Sequence, residues 1–136
     1  MKKLIYLFIS IILIVIISII YKKPKVTNFD KKTSLKVDTT VIDVGDIKVN
    51  SSIRGRYTLH NIGKENLVVE SVLTNCYCTK AEYSSKPIPP ESFTVVTLKY
   101  DSTRLGIFQS TGIVASNSRP DHTLLVLRGN VIKDNK

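Results

Sequence analysis

The sequence predicts an all-β protein, an antiparallel β-sandwich preceded by one N-terminal transmembrane helix. A long apolar run opens the chain at residues 4–20. From residue 35 onward, short runs rich in Val, Ile, Thr and Tyr alternate with Asn, Gly, Pro and Ser, which is typical of strands and turns. Beyond the opening run no segment shows a helical period, so the crossover helices of a parallel α/β sheet are missing.

The N-terminal run, LIYLFISIILIVIISII, is interrupted only by two serines. Seventeen residues of helix span about 25 Å, close to the roughly 30 Å of a hydrocarbon core. Tyr21 follows it, and aromatic rings favour the membrane interface. We therefore expect a transmembrane segment at residues 4–21 in contact with membrane lipid, after a short cytoplasmic tail at residues 1–3.

We expect this segment to stay attached as a signal anchor. A cleaved signal peptide has an apolar core of about 7 to 15 residues, followed by small residues at the cleavage site. Here the run ends at Ile20, Tyr21 and Lys22, none of which is small. No cysteine lies nearby, so lipid attachment to a new N-terminal cysteine is excluded.

The lysines on either side of the segment give conflicting indications of orientation. More lysines follow it than precede it, which by the positive-inside rule favours a cytoplasmic domain. The rule is weak for a long translocated domain. We expect an exported domain, on the periplasmic or extracytoplasmic side of the cytoplasmic (inner) membrane.

The net charge of +9 is concentrated near the membrane segment. Seven of the 20 basic residues precede Leu35, against one of the 11 acidic residues. Juxtamembrane lysines attract anionic headgroups, which accounts for them. Because no basic stripe or groove-reading element is evident beyond that point, we predict no nucleic-acid binding.

Residues 22–34 are polar and lysine-rich, and we interpret them as a juxtamembrane stalk.

The strands follow in order along a predicted sandwich domain at residues 35–133, with a tail at 134–136. The clearest alternation is at residues 53–60, where Ile53, Gly55, Tyr57 and Leu59 share one face. A turn at residues 61–63 follows. The predicted strands are residues 35–44, 53–60, 67–73, 95–100, 107–116 and 123–132, giving six or seven in all. This number, over about 100 residues, is typical of an immunoglobulin-like sandwich.

Specific motifs in this segment resemble the DUF1573 family of exported bacterial proteins, which is related to the immunoglobulin-like domains of the ASPM, SPD-2 and Hydin group. The resemblance covers residues 37–132. It rests on IDVGDI at 42–47, YTLHNIG at 57–63, CYCT at 76–79, YD at 100–101, GIF at 106–108, SN at 116–117 and RGNV at 128–131. It implies an exported sandwich of unassigned function.

The chain departs from the family pattern at three positions. Val44 stands where an aromatic residue is usual, between Asp43 and Gly45. Tyr77 replaces a glycine between the cysteines, and Glu91 replaces a glycine after the prolines. These departures affect turns more than the fold.

Cys76 and Cys78 are the only two cysteines and the only arrangement that could carry chemistry. In an extended backbone their Cα atoms would be about 6.5 Å apart, near the upper limit for a disulfide. A bond closed there would be strained and more oxidising, so the pair could be redox-active, with Lys80 as the nearest cation. The alternative is a structural pair, reduced or bridged, that fixes a tight loop.

A soft metal ion such as Cu(I) is the third hypothesis for Cys76 and Cys78, although no methionine beyond Met1 could assist. Zinc requires four ligands, and the chain could add only His60 and His122. We assign no firm metal site and no cofactor.

The remaining polar residues suggest turns. With two histidines and no G-x-S-x-G spacing, hydrolysis has no nucleophile arrangement. We interpret four acidic residues, Asp43, Asp46, Asp101 and Glu91, as turn formers. Asn61 and Asn117, each close to Gly or Ser, are expected to take turn conformations. No small-molecule substrate is evident.

The leading hypothesis is therefore a membrane-anchored, non-enzymatic module of the cell envelope with a binding or structural role toward an unknown envelope protein. The alternative is thiol redox or copper handling through Cys76 and Cys78. The two differ in whether the cysteine pair reacts with glutathione buffers or binds Cu(I).

Overall fold

The computed structural model describes residues 11–14 and 32–134. Residues 11–14 are helical, and from residue 35 the described chain consists of strands joined by turns and loops. The eight strands are β1 (Leu35–Val37), β2 (Val41–Lys48), β3 (Ser52–Asn61), β4 (Val69–Thr74), β5 (Thr79–Glu82), β6 (Phe93–Asp101), β7 (Gly106–Ser116) and β8 (His122–Ile132). The predicted all-β sandwich is confirmed.

Two four-stranded sheets form the sandwich, in the orders β1-β3-β6-β5 and β2-β8-β7-β4. Neighbouring strands are antiparallel except β2 and β8, which are parallel, so the prediction of a wholly antiparallel sandwich is wrong at this pair. The physical cause is a break at residues 38–40 in what the composition suggested was one strand, 35–44. β1 pairs with β3 in one sheet, and after the break β2 joins the last strand of the other.

The core lies between the two sheets and is built from alternate residues of the central strands. Tyr57, Leu59, Val96 and Leu98 from one sheet meet Val114, Leu125 and Leu127 from the other, all with 0% exposure. The predicted alternation of β3 is therefore confirmed. The Tyr57 hydroxyl donates a hydrogen bond to the Val126 carbonyl in the opposite sheet at 2.7 Å. Burial raises the pKa of Tyr57 to about 12.

Two strand predictions need correction. Leu67 lies outside β4 and instead forms an isolated bridge with Ile88. The sequence does not predict β5, because TKAE lacks the alternation of apolar and polar residues that indicates a strand. It becomes a strand by pairing with β6, where Ala81 lies opposite Leu98.

Most of the predicted transmembrane segment at 4–21 falls outside the described residues, as do the predicted tail at 1–3, residues 22–31 of the predicted stalk and the last two residues. Within the part of the chain that the structure describes, no helix has the length and apolar character needed to cross a bilayer. Thr33, expected in the stalk, is only 5% exposed and packs with the sandwich.

Candidate functional site

The two cysteines lie in a short crossing between the sheets, which we call the disulfide corner (residues 75–78). The chain leaves one sheet at Thr74, the end of β4, and enters the other at Thr79, the start of β5. Cys76 and Cys78 are joined by a disulfide, with Cα atoms 5.2 Å apart. The expected extended backbone is wrong here, because residues 77 and 78 form a turn that shortens this distance.

Hydrogen bonds attach the first residue of the disulfide corner to β7. The Asn75 N–H donates to the Thr111 carbonyl at 3.3 Å, and the Thr111 N–H donates to Asn75 Oδ1 at 2.9 Å. After the corner, the Thr79 and Ser110 hydroxyls lie 2.6 Å apart, both buried. The corner is thus held to the sandwich on both sides of the disulfide.

Backbone contacts fix the disulfide corner from within. The Thr79 N–H donates to the Cys76 carbonyl at 3.1 Å, and the Cys78 N–H lies 3.0 Å from Cys76 Sγ. The Asp101 N–H at the end of β6 donates to the Cys78 carbonyl at 3.0 Å. Both cysteines are half-buried, whereas Tyr77 between them is fully exposed. The corner therefore presents one aromatic side chain on a covalently closed turn.

The candidate metal ligands are not brought together. His60 Nε2 lies 3.0 Å from Asp38 Oδ2 and His122 Nδ1 lies 3.0 Å from Asp121 Oδ1, so each histidine pairs with a neighbouring carboxylate. The hydrogen bond from His122 lowers the pKa of Asp121. Among residues 11–14 and 32–134 no group of three or more His, Cys, Asp or Glu side chains is placed to hold a metal ion.

The acidic residues of the 42–47 motif hold an irregularity in β2. The pairing with β8 shifts between Asp43 and Asp46, and Gly45 between them has φ 65°. Asp43 accepts hydrogen bonds from the Gly45 N–H at 3.0 Å and from Arg128 Nε at 2.9 Å. The hydrogen bond from the Gly45 N–H contributes most to lowering the pKa of Asp43, and the hydrogen bond from Arg128 lowers it further. Asp43 therefore bonds a nearby backbone amide, as a turn carboxylate does, but it lies within a bulged strand and not in the predicted turn.

Asn61 and Asn117 have a role that the sequence did not reveal. Each is 1% exposed and inserts its amide between loops at the end of the sandwich where β3 finishes. Asn61 Oδ1 accepts from the Thr33 hydroxyl at 2.9 Å and from the Gly63 N–H at 3.1 Å. Its Nδ2 donates to the carbonyls of Glu65 and Ile88 at 2.8 and 2.9 Å. The bonds to Gly63 and Glu65 are local, as expected of a turn, and those to Thr33 and Ile88 are long-range.

Asn117 acts in the same way from the other sheet. Its Oδ1 accepts from the Val68 N–H at 2.8 Å, and its Nδ2 donates to the Asn66 carbonyl at 2.9 Å. The Thr33 N–H donates to the Asn117 carbonyl at 3.0 Å. We call Thr33, Asn61, Gly63 and Asn117 the asparagine cluster.

Gly63 explains the spacing of the Asn-x-Gly motif. A Cβ atom at this position would overlap the Thr33 hydroxyl and lie 2.5 Å from the Ser34 nitrogen. The backbone at Thr33 and Ser34, which leads into β1, can therefore pass this close only to a glycine. A buried amide cannot be distinguished from a turn asparagine by composition alone, but the Asn-x-Gly spacing after a strand is a signal that could have identified this site.

The match to known sequences covers the part of the chain that contains both sites. Residues 35–131 match the DUF1573 family, described as "Protein of unknown function (DUF1573)". The chain belongs to the DUF1573 family. No curated protein matches it.

Solved structures similar to this DUF1573 member share its fold. A protein of unknown function from Porphyromonas gingivalis W83 aligns with TM-score 0.64 and 13% identity, over 77% of this chain and 50% of that chain. The chain thus spans about half of that protein. The ASH / PapD-like domain 7 of human CEP192 aligns with TM-score 0.64 and 10% identity, over 83% and 94% of the two chains.

A third similar structure is the secreted serine protease VesC from Vibrio cholerae, with TM-score 0.57 and 14% identity. The alignment covers 75% of this chain and 24% of that one. At these identities the likeness concerns the fold alone, since sandwiches carry many unrelated functions.

Proposed function

We propose that this DUF1573 protein is a non-enzymatic binding module, anchored in the cytoplasmic membrane through residues 4–21, whose disulfide corner contacts a protein of the cell envelope. The observation that carries the proposal is the full exposure of Tyr77 on a turn closed by the Cys76–Cys78 disulfide. Tyrosine is enriched among the residues that dominate binding energy at protein interfaces. A rigid turn lowers the entropy lost when such a side chain is immobilised.

An exported location is supported by two independent features. The apolar run at 4–20 is long enough to approach the thickness of a bilayer core. Disulfides persist in oxidising compartments such as the periplasm and are rare in the cytosol. Protease treatment of intact spheroplasts is expected to digest the sandwich. Digestion only after lysis of the membrane would contradict the exported orientation.

The binding role is tested by placing a photo-crosslinking amino acid at position 77 in the full chain, in its native membrane. Position 83 is the matched control, because Tyr83 is the same residue type but is 41% exposed and lies after β5. We expect a discrete protein adduct from position 77 and a much weaker one from position 83. Equal adducts from both positions, or none from position 77, would contradict the proposal.

Thiol exchange is the second candidate function, and it is favoured by the partial exposure of both cysteines beside the exposed Lys80. In such a step a partner thiolate attacks one sulfur of the disulfide and forms a mixed disulfide. A second thiolate of the partner then attacks the partner's sulfur in this mixed disulfide and releases the cysteine as a thiolate, so that two electrons pass to the Cys76–Cys78 pair and the partner forms a disulfide.

Equilibration of the full chain with glutathione buffers, followed by thiol alkylation and mass measurement, tests this alternative. Exchange function predicts a reduction potential between about −120 and −270 mV. Copper handling predicts near-stoichiometric Cu(I) binding by the reduced protein that Cys76→Ser abolishes. A pair inert to both reagents would exclude this alternative and leave the binding role.

A further inference from the structure

The four edge strands of the sandwich are unequally protected against pairing with another chain. Natural sheets protect their edges by shortness, by charge or by bulges. β1 has three residues, and β5 has four with Lys80 and Glu82 exposed. β2 is bulged at Gly45 and contains Asp43, Asp46 and Lys48.

β4 lacks most of these protections. It has six residues, VESVLT, with Glu70 as its one charged residue and with no lysine or proline. Its irregularity lies at its start, between Val69 and Ser71, and residues 71–74 pair regularly with β7. Within the described residues it is the terminal strand of its sheet. The opposite edge of residues 71–74 is therefore the least protected strand edge of the sandwich.

The neighbouring segment covers only the approach to β4. Leu67, two residues before the strand, exchanges backbone hydrogen bonds with Ile88 at 2.9 and 2.8 Å. Ile88 stands between Pro87 and Pro89, whose nitrogens carry no hydrogen to donate to a strand ladder. The bridge between Leu67 and Ile88 lies before the start of β4 and does not cover the edge of β4 itself.

An exposed apolar row leads to this open edge. Leu73 lies opposite Ile113 of β7, and Ile113 lies opposite Leu124 of β8. These three side chains point away from the core and are 65%, 41% and 52% exposed. We call Leu73, Ile113 and Leu124 the apolar row. A strand added beside β4 would place a side chain next to Leu73 and lengthen the row.

We infer that β4 is a strand-addition site, which takes up an extended segment of another protein with an aliphatic side chain beside Leu73 and a cationic side chain near Glu70. The inference rests on the proposed binding function and specifies how the partner is recognised. In strand addition, main-chain hydrogen bonds provide the affinity and alternate side chains provide the specificity. The exposed carboxylate of Glu70 favours a cation on the incoming segment.

A second copy of this chain fits the edge poorly. Full-length antiparallel pairing of two β4 strands would set Leu73 of each copy against Glu70 of the other and interrupt the apolar row. Docking face to face is also disfavoured, because three partly exposed side chains present a few hundred Å², whereas a stable complex needs roughly 800 Å² per partner. An extended segment needs less apolar area, because its backbone also forms hydrogen bonds with the edge of β4.

The test uses the full chain in lipid nanodiscs and a labelled heptapeptide of alternating valine and threonine with one terminal lysine. Its control is the same peptide with N-methyl groups on alternate backbone nitrogens, which keeps the side chains but blocks a strand ladder. We expect saturable binding of the first peptide only, with amide-exchange protection at residues 71–74. Equal binding of both peptides, or protection at β5 instead of β4, would overturn the inference.

Variants sharpen the result. Leu73→Glu is expected to lower peptide affinity at least tenfold. Ile107→Glu, the same kind of change at a 90% exposed position of β7, is expected to leave the affinity unchanged. Glu70→Lys is expected to weaken binding of the lysine peptide and to favour a glutamate peptide. Equal loss from Leu73→Glu and Ile107→Glu, or a dimer of the full chain that Leu73→Glu disperses, would also overturn the inference.

The outcomes separate this inference from the proposed function. An adduct from position 77 without peptide protection at β4 would refute strand addition and leave the binding module intact. Peptide protection at β4 without an adduct from position 77 would refute the role of the disulfide corner and leave strand addition intact.

Discussion

The asparagine cluster and the disulfide corner both fix loops of the same sandwich, but they do so in opposite ways. The asparagine cluster uses buried side-chain amides, and Asn61 alone makes four hydrogen bonds. The disulfide corner uses one covalent bond and leaves its central side chain, Tyr77, in solvent. The two lie at opposite ends of β6, since Asn61 bonds to Ser92 before this strand and Cys78 bonds to Asp101 at its end. We propose that the end with the asparagine cluster maintains the fold and that the end with the disulfide corner is available to a partner.

Between the asparagine cluster and the disulfide corner, the largest effect is expected at Asn61. Asn61→Ala removes its four hydrogen bonds and leaves the buried partner groups without their bonds, which we expect to cost about 3 kcal/mol of unfolding free energy. Asn130→Ala is the matched control, because that amide makes an exposed hydrogen bond to Asp46, and we expect it to cost less than about 1 kcal/mol. Urea denaturation followed by circular dichroism measures both. Equal losses would contradict a structural role specific to Asn61.

A substitution at Gly63 tests how closely the chain packs at the asparagine cluster. Gly63→Ala introduces a methyl group into the space occupied by Thr33 and the Ser34 nitrogen, and we expect a loss of about 2 kcal/mol. Gly45→Ala is the contrast, because its Cβ would meet nothing within 4 Å although its φ is 65°. We expect about 1 kcal/mol there from backbone strain alone. A larger loss at Gly45 than at Gly63 would refute the close-packing argument.

At the disulfide corner the expected loss of stability is smaller. Replacing both Cys76 and Cys78 with serine opens a very short loop, which in the chain-entropy treatment costs about 1.5 kcal/mol. The sandwich is expected to unfold cooperatively, with hydrogen exchange faster at residues 75–79 than in the untouched protein. A loss as large as that from Asn61→Ala would show that this corner, too, maintains the fold.

Tyr77→Ala is expected to change stability least. The side chain is fully exposed, so the unfolding free energy should change by less than about 0.5 kcal/mol. Tyr57→Ala is the buried counterpart, because Tyr57 has 0% exposure, and it should cost about 3 to 5 kcal/mol. Thermal unfolding of the two variants measures the contrast, and a cost above about 1 kcal/mol for Tyr77→Ala would contradict its placement in solvent.

The sequence allowed the sandwich to be predicted, because β3 alternates apolar and polar residues and because the other runs, rich in Val, Ile, Thr and Tyr, are separated by turn residues. It could not predict β5, whose residues become a strand only by pairing with β6. The division of residues 35–44 between two sheets was also missed, since Asp38, Thr39 and Thr40 interrupt the pattern without a glycine or proline to mark a break.

The candidate site was predicted in part. Cys76 and Cys78 were identified because they are the only cysteines, but the turn that brings their Cα atoms to 5.2 Å depends on the crossing between sheets. The burial of Asn61 and Asn117 does not follow from composition, because their partners Ile88, Val68 and Asn66 are distant in the sequence, and only the Asn-x-Gly spacing after β3 marks the site. The exposure of β4 likewise depends on strand order.

We propose that partners bind at the disulfide corner and not at the asparagine cluster. Photo-crosslinking yields at positions 77 and 62 of the full membrane-bound chain test it most directly, because Ile62 is 61% exposed and adjoins Asn61 and Gly63. We predict a discrete adduct with high yield from position 77 and background yield from position 62. A higher yield from position 62 than from position 77 would contradict the claim.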